Sequence, residues 1–264
     1  MTPRLYLGRD MDTPETWSLA GGTACVFTRR RPGRETANED AAALIPGAAD
    51  NGVLAVADGL GGLPAGDLAS ALALQRLGEQ VAGQPADAQR EAVLTGLEEA
   101  NAAILASGQG SATTIAVVSI EGEAVRTYHA GDSMIVVCGQ RGKLKYQTVP
   151  HSPVGYAEAA GMLDEDDAMF HTERHLISNM VGTPAMRVEI SPLFRLAPRD
   201  TVVIASDGLF DNLYVGEIID LVRAGPLDAA ATRLLAGCQE RMLQSVNDHP
   251  HKPDDLAFIL YRRR

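Results

Sequence analysis

The feature of this sequence that most limits its fold is that its strands come in blocks and its helices in pairs. Short apolar runs at 24–28, 41–46 and 52–57 read as strands. A helix over 65–82, with Leu68, Leu72 and Leu77, comes next. A second over 86–107 follows Pro85, with Val93, Leu97, Ala100 and Ile104 at near-helical spacing. The pattern then returns to strands: IAVVSI (115–120), AVRTYHA (124–130) and MIVVCG (134–139), joined by EGE and QRGK turns that suit antiparallel hairpins. A strand TVVIAS (201–206), helices at 214–224 and 227–246, and a strand LAFILY (256–261) complete the order. One-for-one alternation would call for a doubly wound parallel sheet, whereas this segregation calls for an α+β fold with antiparallel sheets. Residues 150–185 lack clear periodicity, hold the acidic run Asp164-Glu165-Asp166-Asp167, and are expected to form a mobile loop or flap.

No Pro/Gly/Ser-rich linker divides the chain, so a single domain over 1–264 is expected. At this length a core needs no disulfides. The formal charge of −11 argues against a nucleic-acid partner, which would require a basic face. It fits either plain solubility or a place where carboxylates are concentrated. Cys25, Cys138 and Cys238 are far apart in apolar contexts and read as small buried hydrophobes in a reducing compartment. The N-terminus has acidic residues where a signal peptide needs an apolar core, and no apolar run approaches the roughly 20 residues of a membrane span. The expected setting is the cytoplasm, without a membrane partner.

Carboxylates recur at strand ends. Asp58 ends VLAVA and precedes Gly59; Asp132 follows a strand in HAGDS; Asp207 follows TVVIAS and precedes Gly208; Asp254 and Asp255 precede the last strand. Each alone is an ordinary turn or cap. Together they point to convergence, because neighbouring strand ends can meet, and clustered carboxylates need a cation between them to stay ionised. Oxygen donors without paired His or Cys indicate Mg²⁺ or Mn²⁺ rather than Zn²⁺. The glycine loop does not read as a nucleotide site. Gly59 and Gly61 suit G-x-G-x-x-G, but position 64 is proline, and no Gly-Lys-Ser/Thr follows. A backbone carbonyl such as that of Gly59 approaching an ion is the better reading.

In order, NED (38–40), DGLGG (58–62), SATT (111–114), AGDS (130–133), SDGLFDNL (206–213) and the Asp254-Asp255 pair resemble the metal-dependent protein serine/threonine phosphatases of type 2C, in compact bacterial form, from about residue 20 to 261. The resemblance implies an αββα sandwich, two antiparallel sheets flanked by helix pairs, with a binuclear Mg²⁺/Mn²⁺ centre at one edge. It implies that Asp58 bridges both ions, Gly59 offers its carbonyl to one, and Asp207 and Asp254 complete the other, Asp254 being preferred to Asp255. Glu39 and Asp40 would act mainly through water, and Asp132 with Asp207 would hold a third, weaker ion. The implied reaction is attack of an activated bridging water on a phosphoserine or phosphothreonine ester, with phosphorylated proteins as substrates, a serine/threonine kinase as counterpart, and a monomeric enzyme.

The departures are specific. The family's phosphate-binding arginine usually lies four residues before the NED glutamate. Here that position is Glu35, so the role falls to Arg34 through a bulged loop, or to Arg29, Arg30 or Arg31. Leu60 stands where some members carry a proton-donating histidine, and Met134 stands where arginine often follows GDS. His151-Ser152 sits where the family often has aspartate-histidine-serine at the entrance to the flap. His129 reads as a core residue, and His171, His175, His249 and His251 as loop residues. The alternative function is a non-catalytic regulator of this fold that binds a phosphorylated partner, and the retained carboxylates argue against it.

Overall fold

The computed structural model describes residues 2–60, 65–244 and 249–263. Strands β1 (Arg4–Leu7), β2 (Glu15–Leu19), β3 (Gly22–Arg29), β4 (Asp40–Pro46) and β5 (Asn51–Asp58) lead to helices α1 (Gly66–Val81) and α2 (Ala86–Ala106). Then come β6 (Ile115–Glu121), β7 (Ala124–Ala130), β8 (Met134–Cys138) and β9 (Leu144–Gln147), followed by α3 (Pro153–Ala159) and α4 (Glu165–Met169). The chain continues through β10 (Glu189–Ile190), β11 (Phe194–Arg195), β12 (Thr201–Ala205), α5 (Asp207–Phe210), α6 (Val215–Val222), α7 (Leu227–Leu243) and β13 (Leu256–Arg263). The first sheet runs β1-β4-β5-β6-β7-β10, with β11 also on β7, and the second runs β2-β3-β13-β12-β8-β9. Their pairings are antiparallel.

Strand periodicity explains why these strands read as unbroken apolar runs. Successive side chains point to opposite faces. On β4 to β6, Ala42, Leu44, Leu54, Val56 and Val118 pack toward the second sheet, while Ala43, Ile45, Val53, Ala55 and Val117 pack under α1 and α2. An antiparallel sheet with one wet face would alternate with polar residues; here both faces are covered. The second sheet is covered likewise by Ile218, Val222, Leu234 and Cys238 of α6 and α7. The result is the expected αββα sandwich. The three cysteines are buried free thiols.

The differences from expectation have local causes. The edge strands β1, β2 and β9 are only four or five residues long and carry little pattern. The flap contains α3 and α4, each started by a side-chain cap: Ser152 Oγ accepts from the Gly155 N–H at 2.9 Å, and Asp164 from the Asp167 N–H at 2.8 Å. Leu68 is exposed, because α1 buries the Ala69, Ala73, Leu74, Leu77 and Val81 face instead. Helix α7 is described to Leu243, and the expected continuation to 246 runs outside the described residues. Gly61, Gly62 and Pro64 of the glycine loop also lie outside them.

Candidate metal centre

The first sheet fixes two carboxylates side by side. Asp58, the last residue of β5, lies directly opposite Asp40, the first residue of β4. Like charges placed opposite one another are unfavourable, so other bonds must hold the pair. The Thr114 N–H and the Thr113 hydroxyl both donate to the Asp58 carbonyl at 2.8 Å, and the Gly59 N–H donates to the Glu39 carbonyl at 3.1 Å. Thr114 Oγ1 in turn meets Ser133 Oγ at 2.6 Å. The SATT and AGDS segments therefore brace the end of β5. Gly131-Asp132-Ser133 is also the link by which the chain crosses from β7 in the first sheet to β8 in the second.

The second sheet contributes from its adjacent strands β12 and β13. Asp207 opens the short turn of α5, and the preceding Ser206 hydroxyl donates to Asp40 Oδ2 at 2.6 Å, joining the two sheets behind the cleft. Asp254 and Asp255 have different duties. Both Asp255 oxygens accept backbone N–H groups at 2.6 Å, from Arg31 and from Glu39. Asp254 Oδ2 instead faces the Lys252 ammonium at 3.2 Å. Asp254 thus keeps one oxygen clear of backbone donors, and Asp255 keeps none. The two Asp-Gly steps have a steric cause: a Cβ on Gly59 would lie 2.3 Å from the Gly66 carbonyl oxygen, and one on Gly208 1.9 Å from that of Asp255.

The electrostatics are those of an anionic cluster. Burial, then the neighbouring carboxylates, push Asp40 and Asp58 well above the usual carboxylate range. The same two causes raise Asp132 to about 8, where Asp207 and Asp211 are the neighbours. Asp254 is raised to about 6 by burial and by Asp207. Glu39 is raised by burial and by Asp255. Among the described residues, Asp40 Oδ1 and Asp132 Oδ1 are buried oxygens with no hydrogen-bond donor. A buried acceptor without a partner loses its full hydration. Hard divalent cations bound through oxygen satisfy both features at once, so the donor set fits Mg²⁺ or Mn²⁺.

Of the residues singled out from sequence, Glu39, Asp58, Gly59, Asp132, Asp207 and Asp254 line one cleft of about 580 Å³. Asp40 stands just behind it, 1% exposed. Arg31 and Arg34 line the cleft too, whereas Arg29 pairs with Asp12 at 3.8 Å and Arg30 with Asp10 at 2.7 Å. His175 stands on the same cleft. Lys252, Asp211 and Ser206 were not singled out from sequence. Asp211 had a signal, since it falls one helical turn after Asp207 within SDGLFDNL.

His129, His151 and Glu189 form a second group whose ligand atoms lie within 4.8 Å of one another. His151 Nδ1 accepts from the Gly131 N–H at 3.1 Å and from the Asn179 amide at 2.8 Å. Its proton therefore sits on Nε2, facing Glu189 at 3.3 Å. An Nε2 that carries its proton is not a metal ligand, so this group is a hydrogen-bond relay supporting the residue next to Asp132.

The family model described as Protein phosphatase 2C matches residues 29–246. Protein phosphatase PhpP of Streptococcus pneumoniae is 31% identical over 201 residues, covering 72% of this chain and 80% of that protein. Among solved structures, the S. agalactiae serine/threonine phosphatase is 26% identical with a TM-score of 0.78, covering 91% of this chain and 99% of its own. The catalytic domain of the serine threonine protein phosphatase PstP, solved in complex with 2 manganese ions, has a TM-score of 0.69 at 22% identity. It covers 90% of this chain and 96% of its own, and at that identity the likeness is one of fold alone.

Proposed function

Since this chain belongs to the protein phosphatase 2C family and is a serine/threonine protein phosphatase, we propose that its catalytic centre is the carboxylate cleft between the two sheet ends. The observation that carries this reading is the convergence of Asp58, Asp132, Asp207 and Asp254, from separate strand ends, on one cleft. Asp58, the Gly59 carbonyl, Asp207 and Asp254 would hold two divalent ions. Glu39 and Asp40 would act from behind, and Asp132 with Asp207 would hold a third. When bound, such ions supply positive charge against a phosphomonoester dianion and acidify water for in-line attack on phosphorus.

The chain's own residues do the rest. The carboxylates set where charge accumulates, and Ser206 and Asp255 keep Asp40 and Glu39 in register with the second sheet. Arg34 and Arg31, on the cleft, are suited to grip phosphate oxygens through a planar fork. Leu60, also on the cleft, has no proton to give the leaving alkoxide.

On this reading the chain is a single catalytic domain acting as a monomer on phosphorylated proteins, opposite a serine/threonine kinase. Its three free buried cysteines fit the reducing cytoplasm. The test is hydrolysis of p-nitrophenyl phosphate and of a phosphothreonine peptide in a manganese titration. Activity should rise with Mn²⁺, vanish with chelator, and fall by at least roughly a hundredfold in Asp207→Asn. A wild-type protein inert in excess metal would leave the phosphoprotein-binding regulator instead.

A further inference from the structure

Lys252 occupies the middle of the acidic cluster. Its Nζ contacts Asp207 Oδ2, Asp211 Oδ2 at 2.6 Å and Asp254 Oδ2 at 3.2 Å. An ammonium has three donors, and here each meets a different carboxylate. The placement is built into the backbone. The buried Asn212 side chain accepts from the Lys252 N–H and donates to the Lys252 carbonyl, both at 2.8 Å. Asn212 is itself held by the Gly208 carbonyl at 2.9 Å. Pro250 and Pro253 flank the segment and restrict it further. The lysine Cα is thus fixed to the turn that carries Asp207, and only the flexible side chain is free to move.

Two of its three partners, Asp207 and Asp254, are the residues assigned above to a divalent ion. A divalent ion drawn to the oxygens that face Lys252 would compete with the ammonium for their lone pairs, and the two cations would repel each other at that spacing. Resting on the metal-centre reading, we propose that Lys252 is a tethered competitor of the divalent ion. It neutralises Asp207, Asp211 and Asp254 in the metal-free protein, and must withdraw from Asp207 and Asp254 before an ion is bound there. The cluster is thereby kept from repelling itself apart, and the metal concentration needed to load the centre is raised. The third partner, Asp211, is where the displaced ammonium remains.

The experiment is calorimetric titration of Mn²⁺ into the chelator-stripped full chain, wild type beside Lys252→Met, with Lys143→Met as a control that removes the same charge from an exposed turn. Lys252→Met should bind Mn²⁺ at least about tenfold more tightly, a gain of about 1.4 kcal/mol. It should also melt below wild type in chelator and gain more on adding Mn²⁺. Lys143→Met should match wild type. Equal affinities in wild type and Lys252→Met would overturn the proposal, as would an equal tightening in Lys143→Met. So would a crystal structure in excess manganese with Nζ still bridging Asp207 and Asp254. Failure of Mn²⁺ to bind either protein is a distinct result, which overturns the metal centre itself and this proposal with it.

Discussion

The carboxylates of the first sheet are held by the fold, whereas those of the second are held by a side chain. Asp40 and Asp58 are adjacent because the β4–β5 register makes them so, and the Thr113, Thr114 and Glu39 bonds fix the strand end around them. Asp207, Asp211 and Asp254 meet through one lysine on a five-bond stem. Burial works against a charged Lys252, yet the three aspartates outweigh it and raise its pKa. The difference teaches that half of the centre is preorganised whether or not ions are present, and that the other half is a charge balance open to exchange.

The largest test strikes the preorganised half. Gly59→Ala would put a methyl group against the backbone of Gly66 and, at 2.9 Å, against the Glu39 carbonyl. Neither backbone atom can yield without moving α1 or the NED segment. The variant should lose about 3 kcal/mol of stability, at the upper end of ordinary overpacking, and nearly all activity at any Mn²⁺ concentration. A contrasting substitution is Gly216→Ala in α6, where a Cβ meets nothing within 4 Å; it should stabilise by about 0.5–1 kcal/mol. Thermal melts with and without metal check both. If high Mn²⁺ restored Gly59→Ala, the first half would be no more rigid than the second.

The next test reads the charge balance through pH. Asp132 is raised to about 8 and Asp254 to about 6 by burial and by their acidic neighbours, from an ordinary 3.8. A raised carboxylate stabilises the fold fully below its unfolded value, and that contribution is lost as pH rises through the folded value. The metal-free protein should therefore lose stability from about pH 4 to about pH 8, and between about pH 6.5 and about pH 8 the loss still includes Asp132 but no longer Asp254. The expected drop across that upper window is several degrees in Tm, at roughly 2–4 °C per kcal/mol. Mn²⁺ should flatten it, because a bound cation keeps the folded carboxylates ionised. A metal-free curve that is flat or rising between those pH values would show that the carboxylates do not repel one another as the geometry demands.

What the sequence displayed, and what it hid, follows the same division. Asp58 and Asp207 were legible because an apolar run that ends on a carboxylate and a glycine is conspicuous, and the glycines turn out to be demanded by backbones crossing at Gly66 and Asp255. The sandwich was legible because two-sided burial leaves runs such as VLAVA without polar interruption. Lys252 was not, since a lone lysine between prolines has no period and its partners are up to 45 residues away. Nor was the tie between Asp255 and Arg31, 224 residues apart, which decides where the arginine loop lies. The flap helices and short edge strands were missed because each is too brief to show a repeat.

That same tie sets the smallest test, which asks whether preorganisation extends to the phosphate. Arg31 is half-buried and its backbone is pinned by Asp255, next to the Glu39 that shares the same carboxylate. Arg34 is exposed on the outer part of the same loop, three residues further along. A guanidinium on a fixed backbone loses less freedom when it grips a ligand. Arg31→Ala should therefore raise KM about tenfold, and Arg34→Ala about threefold, with little change in kcat if the grip is equal in ground and transition states. The Mn²⁺ requirement of both variants should stay at the wild-type level, since neither side chain bonds a carboxylate of the cluster. Steady-state kinetics on a phosphothreonine peptide give all three quantities. A reversed order would return the phosphate to Arg34 and place the preorganised half of the centre at the metals alone; a shifted Mn²⁺ requirement would show that the arginines belong to the charge balance of the second half.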